Sequence, residues 1–116
     1  MTVIRKVILA TAICFALSLP AYSHTQLSES VPANEAALDQ APEEISLTFS
    51  AAVRLTAVTI EFDSESHSLD VDSKEPATDF SVGLPELVPG EYVVQWRALS
   101  EDTHVISGEI RFTISS

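Results

Sequence analysis

Cysteine occurs once in the 116 residues, as Cys14, and methionine once, as Met1. A disulfide needs two thiols, so no such framework is available, and neither is a zinc site built on thiolates. Soft thioether ligands for Cu(I) are missing for the same reason. Basic residues are also few: six Lys and Arg stand against 17 Asp and Glu, a net charge of −11. No basic stripe is present that would hold nucleic acid or anionic lipid. A surface of this sign attracts cations and keeps a domain soluble. The apolar, uncharged run Val7 to Leu19 is too short to cross a bilayer as a helix. No internal repeat, low-complexity tract or interdomain linker is visible.

The short apolar run has a telling setting. Arg5 and Lys6 precede it, Pro20 breaks it, and Ala21-Tyr22-Ser23 follows as a small-x-small triplet. This is the layout of a secretory signal peptide. Cys14 falls inside the run behind Ile13, where a lipoprotein signal would want a small residue, so it is expected to leave with the signal. Cleavage after Ser23 would leave residues 24–116, a single small domain with a modest core. Four basic residues would then face 17 acids, a net charge of −13. His24 would become the first residue and would offer one metal two nitrogens, its α-amine and its imidazole.

Beyond the leader the pattern has period two, in short runs. Ile45, Leu47 and Phe49 alternate with Ser46, Thr48 and Ser50, and Val58, Ile60 and Phe62 alternate with Ala57, Thr59 and Glu61. Tyr92, Val94 and Trp96 share one face with Gln95 and Arg97 opposite; Ile110, Phe112 and Ile114 alternate with Glu109, Arg111 and Thr113. Trp96 reads as core. Turn signals stand between the runs: VPAN at 31–34, APEE at 41–44, GLPE at 83–86 and VPGE at 88–91. NEAALDQ, 34–40, has room for one helical turn, and the polar segment 63–79 reads as a surface hairpin and loop. Faces of this kind need a second layer to bury them. The expectation is an all-β fold, a small antiparallel sandwich or Greek-key barrel with immunoglobulin-like architecture but without its paired cysteines.

The segment LSEDTHVISGEIRF, 99–112, places Asp102-Thr103-His104 between two strands. In extended backbone Asp102 and His104 would point to one side about 6 to 7 Å apart; in a tight loop they would still share one end of the sandwich. The plain reading is a loop carboxylate and a loop histidine sharing a hydrogen bond. Together with His24, the pair completes an N,N,N,O donor set. In tetragonal geometry such a set favours Cu(II), which tops the affinity order of the divalent first-row ions, whereas Zn(II) would ask for a tetrahedron. Asp102 stands either as a direct ligand or as the group that holds a ring N–H and orients an imidazole; spacing leaves both open. His67 lies among acids and reads as a solvated histidine, with a weak second site involving Asp70 or Asp72 as the alternative.

HTQLSESVPANEAALDQAPEEISLTFSAAV at the start and GEYVVQWRALSEDTHVISGEIRFTIS at the end together resemble the CopC family of periplasmic copper-binding proteins, which includes PcoC and YobA-type domains. The resemblance runs over the whole chain from His24. It implies a seven-stranded Greek-key β-barrel or sandwich and a Cu(II) site made by His24, Asp102 and His104. It further implies a monomer that holds and delivers copper in homeostasis, resistance or import, with an inner-membrane CopD-like transporter as partner. Thr103 stands where the family usually has Gly; if that position needs φ > 0, Thr is strained there. Ala51 replaces a Glu that some relatives carry after the FS pair. With Met1 the sole methionine, a Cu(II)-only member is expected. Two other classes use the same residues. One is a histidine-brace copper oxidase, an enzyme that would need an open copper position and a flat aromatic surface. The other is a metal-independent β-sandwich interaction module. The expectation is a carrier and not an enzyme.

Overall fold

A computed structural model describes residues 25–71 and 74–116. The expected leader, the cleavage point after Ser23, His24 and Asp72 lie outside the described residues.

The chain forms β1 (Leu27–Val31), β2 (Ala36–Leu38), β3 (Glu44–Phe62), β4 (Glu65–Leu69), β5 (Ala77–Gly83), β6 (Gly90–Ser100) and β7 (Val105–Ile114). The two runs around Leu47 and Ile60, expected as separate strands, are one 19-residue strand, β3. Ser50-Ala51-Ala52-Val53 between them holds neither Gly nor Pro, so the chain bends there without stopping. The first half of β3 pairs antiparallel with β1 and β5, the second half with β6 and β4. Register shifts on β3 between Thr48 and Val53 mark the bend. A strand that changes layer at an irregularity is how sandwich corners are built. The sheet runs β1-β3-β6-β7-β2, with β4 and β5 attached to β3.

Alternation along the strands decides what fills the space between the two halves. Ile45, Leu47 and Phe49 from the first half meet Val58, Ile60, Val94, Trp96, Ile110 and Phe112 from the second, all buried. Phe49 packs edge-on against Trp96 at 5.1 Å between ring centroids, which shows the two halves face to face. The reading of Trp96 as core holds. Gly108 is its cross-strand partner. A Cβ at Gly108 would stand 2.7 Å from the indole, so only glycine lets the ring lie across β7.

A second expectation is overturned. Residues 34–40 hold no helical turn. Asn34 and Glu35 form a turn, with Glu35 at φ 69°, and Ala36–Leu38 pair parallel with Phe112–Ile114. So short a segment cannot meet the entropy of helix nucleation, while the edge of β7 offers it a ready ladder. Asn34 Oδ1 accepts the Arg111 N–H at 2.9 Å and fixes the approach. The remaining strand pairs are antiparallel, as expected. The segment 63–79 does open with a hairpin: Asp63 and Ser64, both at positive φ, turn the chain from β3 into β4. Its tail contributes the start of β5, which the polar composition concealed.

Candidate metal centre

β6 ends at Ser100 and β7 begins at Val105, so Glu101 to His104 must reverse the chain. The Ser100 N–H donates to His104 O at 2.9 Å, and the Thr103 N–H donates to Ser100 O at 2.9 Å. Those two bonds, with Thr103 at φ 67°, describe a three-residue hairpin loop whose last residue is left-handed, the position that suits glycine. The strain expected for a Thr in place of Gly at 103 is therefore present, in a β-branched residue that rarely adopts this conformation. The Thr103 hydroxyl donates to Asp102 O.

The loop brings Asp102 and His104 into contact. His104 Nδ1 lies 3.0 Å from Asp102 Oδ2. With Nδ1 carrying the proton, this bond leaves Nε2 as a free lone pair for a metal, the usual way a carboxylate sets an imidazole tautomer. Both side chains are open to solvent, 79% exposed for His104 and 69% for Asp102. The other carboxylate oxygen, Oδ1, accepts the hydroxyl of Ser100. That hydroxyl also receives the His104 N–H at 3.3 Å. The Ser100 hydroxyl first, and His104 second, hold the Asp102 carboxyl below its ordinary value of 3.8. Both bonds favour the charged form. Each carboxylate oxygen has room for two bonds, so Asp102 can orient His104 and still face a cation.

Ser100 was not singled out from the sequence. Its signal was available: it continues the inward register of Tyr92, Val94, Trp96 and Ala98, and it is only 6% exposed. A polar group at the end of a core-facing series must find a partner, and here the partners are Asp102 and His104.

The three expected site residues are not all described, because His24 lies outside the described residues. What is described is where the chain leading from it enters the fold. The Gln26 N–H donates to Ser50 Oγ at 3.0 Å, and the Ser50 N–H donates to Gln26 O at 2.9 Å. Ser50 is at the bend of β3, three residues from Val53, which pairs with Ser100. Gln26 thus enters at the same end of the sandwich as the 101–104 loop. His67 sits elsewhere, on β4, with Nε2 3.7 Å from Glu65 Oε1. Among the described residues no group of three or more His, Cys, Asp or Glu converges as a metal cluster; His67 and Asp70 both line a groove beside β4.

The CopC domain model matches residues 27–115. The chain belongs to the CopC family. It is 31% identical to Copper resistance protein C of Escherichia coli over 126 residues, covering 98% of this chain and 99% of that protein. The crystal structure of CopC from Methylosinus trichosporium OB3b superposes with a TM-score of 0.69 at 25% identity, over 79% of this chain and 94% of the other. PcoC of Escherichia coli, described as a methionine-rich copper resistance protein, superposes with a TM-score of 0.58 at 31% identity, over 80% of this chain and all of PcoC. The CopC family therefore includes copper resistance proteins, and this member shares their β-sandwich. It departs from PcoC in sulfur content, since Met1 is its sole methionine.

Proposed function

We propose that the exported chain, cut after Ser23, is a periplasmic carrier that binds Cu(II) through His24, His104 and Asp102 and passes it on without catalysing a reaction. The observation that carries this reading is the Asp102–His104 pair, held open at the end of the sandwich where Gln26 joins the sheet. His24 precedes Gln26 by two residues, and two residues span at most about 7 Å between Cα atoms. That short link supports the amine and imidazole of His24 as donors to the same ion as His104. His104 Nε2 supplies the third nitrogen, and Asp102 supplies either the fixing hydrogen bond or an oxygen. The copper resistance proteins of the family support copper as cargo, and nitrogen-rich donors without soft sulfur support Cu(II). A CopD-like membrane transporter is the proposed recipient, with the carrier itself monomeric.

The deciding experiment is a Cu(II) titration followed by EPR, on protein shown by intact mass to begin at His24. The control carries one extra residue ahead of His24, which removes the α-amine from that position. A stoichiometric tetragonal signal with nitrogen coupling, lost or much weakened in the control, supports the reading. Equal binding by both proteins, or none by either, defeats it, and the absence of binding favours a metal-independent interaction module.

A further inference from the structure

The end of the molecule away from the 101–104 loop holds a groove of about 650 Å³ between β4 and the segment that follows β5. Its origin is visible in the register. Glu65 is the partner of Phe62, His67 of Ile60 and Leu69 of Val58. Cross-strand partners share a face, so these three β4 side chains project toward the core side of the sheet. The facing layer does not cover them there, because β5 stops at Gly83. Glu65 and His67 are accordingly 78% and 64% exposed although they stand on the inward row.

The groove is built and held open. Its floor includes Phe62, stacked on Tyr92 at 4.6 Å between centroids. Its far wall is the segment 84–88, tied back by Tyr92: the hydroxyl donates to Val88 O at 2.6 Å, and the Val88 N–H donates to the hydroxyl oxygen at 3.0 Å. Leu84 and Leu87 of that wall pack on the core, and Val88 remains 57% exposed. Glu65, Asp70 and Glu86 line the groove, and no Lys or Arg does. Among the described residues β4 pairs with β3 alone, so its other edge presents free backbone donors and acceptors.

We propose that this groove docks an extended, basic segment of a partner protein, which adds to the edge of β4 with an apolar side chain in the floor and lysine or arginine beside the carboxylates. An open edge, an apolar trough and acids of one sign are what strand addition by such a segment requires. The site is separate from the proposed metal site and does not depend on it.

The test uses the exported chain and an acetylated, amidated hexapeptide of alternating lysine and leucine, with the glutamate–leucine counterpart as control. Amide resonances are followed by heteronuclear NMR. Expected are saturable shifts confined to β4, Asp70 and residues 84–88 with the lysine peptide only. A Glu65→Lys, Glu86→Lys variant should bind it at least tenfold more weakly. Both positions are exposed, so the fold should survive, and retained amide dispersion checks that. The same charge change at the exposed Glu29 and Asp39 should leave binding within twofold. Shifts spread over the whole acidic surface, equal loss in both variants, or no binding at millimolar peptide would overturn the proposal. So would a concentration-dependent dimer with β4 at its centre, which would give the groove to a second copy of this chain.

Discussion

A Ser100→Ala substitution deletes the hydroxyl that binds Asp102 and receives the His104 N–H in a single step. Its burial makes the loss felt in stability, by about 1 kcal/mol, seen as a lower urea midpoint. It also removes the largest cause of the low Asp102 pKa, so the carboxyl should titrate at a higher pH in the variant. In the unaltered chain the sign runs the other way. A carboxyl whose folded value is depressed stabilises the fold above its unfolded value and loses that contribution as pH falls through the depressed one. The side-chain carbonyl resonance of Asp102 should therefore titrate with a midpoint below 3.8, and the loop should keep its form throughout the neutral range; a midpoint at or above 3.8 contradicts the hydrogen bonds described. Thr103 gives the opposite prediction for stability. At φ 67° a side chain with a Cβ is disfavoured by about 1–2 kcal/mol. Thr103→Gly should raise the thermal midpoint, and an unchanged or lower midpoint would mean that the Thr103 hydroxyl bond to Asp102 O offsets the strain.

Among the elements, β7 carries a steric demand that a single methyl tests. Gly108→Ala would drive a methyl into the buried indole of Trp96, and overpacking of this kind costs about 1–3 kcal/mol. Urea unfolding followed by tryptophan emission should show a lower midpoint and an altered native spectrum. The inward rows of β3, β6 and β7 were legible from alternation alone, because each is long enough for period two to stand out. β1 and β5 were not, since both are half exposed and mostly polar outward. The Ala36–Leu38 strand was hidden because three residues carry no period, and its parallel pairing depends on the free edge of β7. The unity of β3 was missed because alternation lapses at its bend. In the candidate site, the Asp102–His104 pairing was readable from spacing, whereas the role of Ser100 depends on where the inward register ends relative to the loop.

Across the whole molecule, acidity and proton competition act together on the proposed cargo. An α-amine titrates near 7.7–8.0 and an imidazole near 6.5 in ordinary settings, and a metal must displace those protons. Cu(II) affinity, measured by chelator competition, should fall at least tenfold from pH 8 to pH 6; a flat profile would exclude the amine and imidazoles as the binding groups. The location of that chemistry also follows from β3. Both layers share this strand, so the sandwich is shaped like a folded page with its spine at Ser50–Val53. The 101–104 loop lies beside the spine, where the two halves are covalently one, and the groove opens at the fore-edge, where they part. One continuous core of buried side chains from both halves fills the space between spine and fore-edge. The proposed metal site and the proposed docking groove thus stand at opposite ends of one sandwich, so that occupying one leaves the other open.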